Sequence, residues 1–471
     1  MQNGGASAQS HQQGVSFTVD PDRMSELEGH ITELPTLLSR TAGRSSCCCI
    51  FRVPPSLLEI NPRAYQPHIV SIGPFYHGND RFKMIQEHKW RFLGDLIDRT
   101  GTQSRPRKVS IADLFQIITP MEESIRDCYS EPLKFDSRDL MEMIVLDGCF
   151  IIELFCKVGR IVPTEVDEPL FNMAWILPFL MRDLLRLENQ IPYFVLKSLF
   201  ALCVGNFSIA VTNIDSSSNT NSTEDNISSS SLAKLALVFF NYMVQRPVKV
   251  LEKYYDSEGK HLLDLFRLTY VSPSQEEVPR KRSKFLRLIQ SAKKLHLAGV
   301  KFEPRKTESF LDIDFKDGVL KIPVLTIDDF SSSLFLNFVA YEQCYIHCSK
   351  YVTAYATFMG CLINTPGDAG LLCDHKIVEN YFGTDDEVAR FFNNVGKDVA
   401  FDIHRNYLST VFEEVNEYYR NNWHVRWAEF KHRYFDTPWS FISALAALLL
   451  LILTTIQAFF AAYAYFIPPN K

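Results

Sequence analysis

The sequence has none of the short motifs that mark a known reaction. There is no glycine-rich phosphate loop, no G-x-S-x-G, no H-E-x-x-H and no kinase signature set. The phosphate cradles, nucleophile turns and zinc-holding histidine pairs that those motifs build are therefore not expected. Ser71-Ile72-Gly73 is superficially a nucleophile turn, but no glycine precedes it and Pro74 follows at once. An excess of basic charge is also missing. Lys and Arg total 49 against 55 Asp and Glu, a net charge of −6, whereas a protein held by nucleic acid presents a basic face. No apolar stretch occupies residues 1–14 (MQNGGASAQSHQQG), so no secretory signal is expected. Cysteine is present, but the 11 residues are odd in number and irregular in spacing, as in reduced cytosolic thiols. Zinc sites favour paired C-x₂₋₄-C knuckles. Among Cys344, His347, Cys348, Cys361, Cys373 and His375 only Cys344 and Cys348 have that spacing, so no metal and no cofactor are expected. His68, His77 and His88 share a proline-rich stretch and read as turn residues.

What is present begins at the C-terminal end. Residues 439–467 read WSFISALAALLLLILTTIQAFFAAYAYFI, without one Asp, Glu, Lys, Arg or His. A helix of that length, at about 1.5 Å per residue, crosses the roughly 30 Å hydrocarbon core with room to tilt. Trp439, Phe441, Leu449, Leu451, Ile456, Phe460 and Tyr465 mark its apolar and interfacial positions; aromatic rings favour the two membrane boundaries. Arg420, Arg426, Lys431 and Arg433 crowd the upstream flank against Lys471 beyond. By the positive-inside rule the large domain is expected in the cytosol, as in a tail-anchored protein, with plasma membrane and endoplasmic reticulum not distinguished.

Three regions are expected: an N-terminal segment without fixed structure (1–46), a mainly helical domain (47–435), and the anchor with its short tail (436–471). Residues 205–231, with NIDSSSNTNSTEDNISSSS, have little to bury and read as a loop. This loop holds three N-x-S/T sequons, at Asn206, Asn221 and Asn226. Apolar periodicity predicts helices from about residue 82, over 111–129, 137–157, 170–187 and 193–200, then over 232–245, 261–270 and 284–298. Beyond residue 332 they are predicted over 333–345, 351–363, 372–381, 385–395 and 401–435. A short helix is predicted from residue 24. Alternation on both sides of Asp317-Gly318 predicts a β-hairpin, the one small β element. The basic run 280–284 (RKRSK) reads as a solvated helix start.

Acidic residues inside apolar blocks are the best candidates for chemistry. Asp147 sits in MIVLDGCFIIELF, and Glu188-Asn189 between two apolar helices. A buried carboxylate must be paired or protonated, so Asp147 and Glu188 each imply a partner such as Arg182 or Arg186. The expectation is a structural polar network of Asp147, Arg182, Arg186, Glu188 and Asn189; no catalytic residue is assigned. The rival use of the same carboxylates is acid–base catalysis.

Several blocks, taken together and in order, resemble a large plant family catalogued as domain of unknown function two-four-seven. They are VSIGPFYHG (70–78), EHK (87–89), MIVLDGCFIIELF, RDLLRLENQIPYFVL (182–196), AGVKF (298–302), KIPVLTIDD and NFVAYEQC (337–344). The resemblance implies a C-terminal hydrophobic segment, as found here. It supplies no enzymatic mechanism; some grass members are associated with pollen self-incompatibility, a recognition role. The expected function is membrane-anchored protein–protein recognition, signalling or scaffolding with an unknown protein partner, a lipid bilayer and no nucleic acid. The alternative is a membrane-attached enzyme with an unrecognised acid/base or metal site.

Overall fold

The computed structural model describes residues 20–32, 38, 47–101, 108–204, 231–271, 287–420 and 438–466. The protein is mainly α-helical with a few short strands. Its organising element is the helix Ser137–Val158, whose side chains are buried from Leu140 to Lys157 apart from Glu142. Asp136 starts it, accepting from the Asp139 N–H at 2.7 Å. Because almost every face is apolar, this helix has no solvent side. Helices Lys83–Thr100, Ile111–Ile118, Tyr193–Cys203 and Leu232–Val244 all pack on it. Gly148 lets helix Tyr193–Cys203 come close: a Cβ there would meet Leu199 Cδ1 at 2.5 Å. A second helical group, Asp329–Cys344, Tyr351–Leu362 and Asp385–Val395, joins the same core, which runs from Cys48 to Val415.

The predicted hairpin is present and part of something larger. Strands β1 (Lys301–Arg305), β2 (Asp314–Lys316) and β3 (Val319–Pro323) form a sheet of order β1-β3-β2. β2 and β3 are antiparallel, and β1 lies parallel to β3. Asp317 (φ 50°) and Gly318 (φ 80°) make the turn, the two positive φ angles that a tight hairpin requires. β4 (Leu325–Ile327) pairs in parallel with β5 (Val378–Asn380) as a separate two-stranded sheet.

Several predicted helices need correction. The one placed at 372–381 starts earlier, at Pro366, where Thr365 and Asp368 form a capping box; it ends at Asp374, and β5 follows. The helix expected over 401–435 begins only at Ser409 and is described to Arg420; residues 421–437 lie outside the described residues. Residues 111–129 are broken at Pro120 into two helices and a tight turn, because proline lacks the N–H a continuous helix needs. Residues 170–187 hold two short helices, Pro169–Asn172 and Ile176–Asp183, and an irregular turn. Of the basic-led helix expected at 284–298, residues 284–286 lie outside the described residues and the helix among the rest is Ala292–Leu297. The short helix expected from residue 24, inside the N-terminal segment, is present and runs Pro21–Thr32. The loop at 205–230 with its sequons and the 280–284 run lie outside the described residues. Helix Pro438–Phe466 is long and apolar enough to cross a membrane, and no residue of its window Leu445–Ala462 is buried.

Candidate functional site

The turn after helix Ile176–Asp183 is where the sequence places its polar candidates, and nearly every side chain there holds distant backbone. Asp183, fully buried, accepts from the N–H groups of His68 (2.8 Å), Ile69 (2.7 Å) and Val70 (3.2 Å), and from Arg186 Nε (3.0 Å). Arg186 also donates to the Arg63 carbonyl at 2.9 Å and meets His68 Nδ1 at 2.7 Å. Glu188 accepts from the Val53 N–H (2.8 Å), the Tyr76 hydroxyl (2.6 Å) and Arg52 (3.1 Å). Asn189 accepts from the Ile72 N–H at 2.7 Å and donates to the Val70 carbonyl at 3.1 Å. Gln190 donates to the carbonyls of Leu184 and Arg186 at 2.7 and 2.8 Å. The proline-rich segment around residues 66–73 pairs with no strand, so these side chains satisfy its backbone groups.

Asp147 projects from the central helix into the same loop. Its carboxylate takes Lys89 Nζ at 2.5 Å and the Gly73 N–H at 2.8 Å, while Lys89 also donates to the Ser71 carbonyl. Both side chains are buried. The predicted arginine partners are therefore corrected: Asp147 pairs with Lys89, Glu188 with Arg52, and Arg186 with Asp183. Arg182 stands outside the network; its guanidinium lies 5.3 Å over the Phe179 ring and its Nε has no hydrogen-bond partner. Chemically the site is a clamp. Its carboxylates accept from backbone N–H groups, a tyrosine hydroxyl and fixed cations.

A second buried cluster was not anticipated from sequence. Glu342 pairs with Arg267 at 3.1 Å and accepts from the Val352 and Thr353 N–H groups at 3.1 and 2.8 Å. Burial pushes its carboxyl up despite the arginine. The acid in NFVAYEQC was the available signal. Beside it, His261 caps helix Leu262–Leu268, with Nδ1 accepting from the Asp264 N–H and Nε2 donating to the Cys49 carbonyl at 3.0 Å. Burial lowers its pKa from 6.5 to about 4. The folded chain thus keeps this ring neutral where the unfolded chain protonates it. Stability is complete above about pH 6.5 and falls as the pH drops towards 4, by up to roughly 3 kcal/mol. Urea midpoints measured from pH 7 to 4.5 are expected to decline less steeply for His261→Asn than for wild type; parallel profiles would remove this histidine from the account.

Among the described residues no group of three or more His, Cys, Asp or Glu side chains could hold a metal ion. Cys348 Sγ donates to the Tyr345 carbonyl, and His375 Nδ1 contacts the Leu371 carbonyl at 2.8 Å.

The surface offers a different kind of site. A cleft of about 880 Å³ lies between the end of helix Leu232–Val244, the loop after β1, and β4 with the start of helix Asp329–Cys344. Its floor is aromatic, with Phe310, Phe330, Phe335 and Phe338. Gln245 closes the first helix in the left-handed conformation (φ 52°), and Arg246 then turns over the Tyr270 ring at 4.2 Å. Arg246 donates to Thr269 Oγ1 (2.7 Å), the Thr269 carbonyl (3.0 Å) and the Glu308 carbonyl (2.9 Å).

Fold and site together define a mainly helical protein whose interior polar residues hold its own backbone, with an apolar helix at its C-terminal end. The chain belongs to the plant family described as proteins of unknown function (DUF247), which matches residues 50–453. It is similar to the UPF0481 protein At3g47200 of Arabidopsis thaliana, 39% identical over 453 residues, covering 92% of this chain and 89% of that protein. It is also similar to the putative UPF0481 protein At3g02645 of the same plant, 23% identical over 500 residues, 89% of this chain and 91% of that one. No solved structure matches the chain.

Proposed function

We propose that this chain is a recognition module held at a membrane by its C-terminal helix, with the large domain in the cytosol. The observation that carries the reading is helix Pro438–Phe466, free of charged side chains and with no residue of its apolar window buried. In water that apolar surface would be costly to leave uncovered; in hydrocarbon it is stable. Recognition rather than catalysis is supported by the buried carboxylates, whose acceptor positions are taken by backbone and fixed cations. Proximity labelling from the intact chain should return a recurring protein neighbour; labelling no different from that of an anchor-only control would count against recognition.

Deleting residues 438–471 should move the protein from the carbonate-resistant membrane pellet to the supernatant. Retention of the shortened chain in the pellet would mean that something else holds it there. Orientation has its own readout. Asn206, Asn221 and Asn226 should stay unmodified in the native protein, because a cytosolic domain never meets the glycosylation machinery. A glycosidase-sensitive mobility shift, lost when all three become Gln, would place the domain on the other side.

A further inference from the structure

Helix Pro438–Phe466 sorts its side chains by size. Leu445, Leu449, Ile452, Ile456 and Phe459 follow one another at alternating spacings of four and three residues, which puts them on one face. Ser443, Ala447, Leu450, Thr454, Gln457 and Ala461 keep the same alternation on the opposite face, where Leu450 is the one large side chain among small or polar ones. Acyl chains meet every side of a lone helix alike and give no reason for such sorting. A face of small residues lets a second helix approach closely.

The small face also holds an unmet polar group. Thr454 satisfies its hydroxyl within its own helix, donating to the Leu450 carbonyl at 2.8 Å. The Gln457 carboxamide has no partner among the described residues, although Gln457 lies inside the apolar window Leu445–Ala462. Its two N–H donors and its acceptor oxygen find no water in hydrocarbon. Nor does it escape to the nearer boundary. Ala462 is roughly 7.5 Å further along the helix, and helical side chains lean towards the N-terminus, here towards the middle of the bilayer.

We infer that two copies of this chain pair through their anchors as a parallel, two-fold-related helix dimer, in which the Gln457 carboxamides donate to each other across a seam of Ser443, Ala447, Thr454 and Ala461. The chemistry of the seam selects a second copy. A carboxamide both donates and accepts, so the same residue on a symmetry-related helix completes it. The seam carries no charge with which to choose an oppositely charged helix. All copies enter the membrane in one orientation, so their anchors meet in parallel, and alternation of three and four is the period of a left-handed helix pair. The inference rests on the membrane-anchor reading and adds the partner of that helix.

Single cysteines are placed along the anchor of the full-length chain in phosphatidylcholine vesicles, and oxidative cross-linking with copper phenanthroline is compared with wild type on non-reducing gels. Ser443→Cys, Ala447→Cys, Thr454→Cys and Ala461→Cys should form dimer, while Leu445→Cys, Leu449→Cys, Ile452→Cys and Ile456→Cys should stay at the wild-type background. Energy transfer between donor- and acceptor-labelled copies supplies a second readout. Gln457→Leu should raise the protein-to-lipid ratio at half-dimerisation by roughly three- to tenfold. Gln457→Asn keeps a carboxamide and should raise it less, and Leu449→Ala on the lipid face should leave it unchanged. Equal cross-linking on both faces, or energy transfer in Gln457→Leu matching wild type, would overturn the pairing while the chain still resists carbonate extraction and the anchor reading stands. A chain released from the vesicles by carbonate would overturn both. Seam cross-links that form only in native membranes, to a chain of different mass, would overturn the second copy in favour of another membrane protein.

Discussion

Replacing Asp147 by Ala is expected to lower the unfolding free energy of the full chain by about 3–5 kcal/mol, the range for breaking one side of a buried ion pair. The expectation follows from what the truncation strands. Lys89 and Asp147 are each 1% exposed, so the ammonium cannot reach water when its carboxylate is removed. The Gly73 N–H loses its acceptor in the same step. Asp147→Asn keeps an acceptor for Gly73 but still leaves the lysine charge unpaired, so its loss should fall between wild type and Ala. The double variant Lys89→Met, Asp147→Leu should recover part of the loss, because no charge is stranded, though Gly73 N–H and the Ser71 carbonyl remain without partners. Urea denaturation at neutral pH ranks the four proteins. An unchanged midpoint for Asp147→Ala would mean that this pair does not form.

The second large effect is expected at Gly73, in the same loop. Its backbone sits at φ 72°, ψ −172°, a region essentially confined to glycine, where another residue costs of order 1–3 kcal/mol. A Cβ would also meet the Gln190 carbonyl oxygen at 2.5 Å and the Tyr129 hydroxyl at 3.1 Å. Gly73→Ala should therefore cost about 2–5 kcal/mol in all. Gly78 supplies the control: it also has positive φ (78°), but nothing lies within 4 Å of an added Cβ. Gly78→Ala should cost only about 1 kcal/mol. Equal losses for the two would show that conformation alone, not the approach of Gln190, decides the effect. Since Gly73 donates to Asp147, the double variant Gly73→Ala, Asp147→Ala should lose less than the sum of the two single losses.

These two residues also show how far the sequence could be read. Asp147 lies in a helix legible from its apolar run, because local composition alone dictates that such a helix is central, whereas Gly73 lies in a proline-rich stretch legible only as turns. The hairpin at Asp317-Gly318 was legible for the same reason: both residue types tolerate positive φ, and alternation flanks them. Pairing was not legible. Lys89 stands 58 residues from Asp147 and Arg52 136 residues from Glu188, and nothing in spacing connects such positions; Arg182 and Arg186 were suggested by their place beside Glu188. The helix boundary at Pro366 was readable, since Thr365 and Asp368 have capping-box spacing with proline at the first turn. Apolar periodicity from Leu371 onwards ran into β5, where a short buried strand and a helix end look alike. The cleft could not be read at all, because its floor and walls come from six separate stretches.

The long reach of the clamp has a consequence in time. Helix Asp329–Cys344 holds the Ala64 carbonyl through Ser333 and Asn337, partners 269 and 273 residues away in sequence. At roughly 5–20 residues per second, a ribosome needs about 14–55 s to make the intervening chain. Throughout that interval the proline-rich strap around residues 50–73 has been synthesised while part of its anchorage has not. Growing chains should therefore pass through a prolonged stage in which apolar side chains of the strap are uncovered, a stage suited to chaperone capture. Slower codons before residue 329 would lengthen that stage, and faster ones would shorten it.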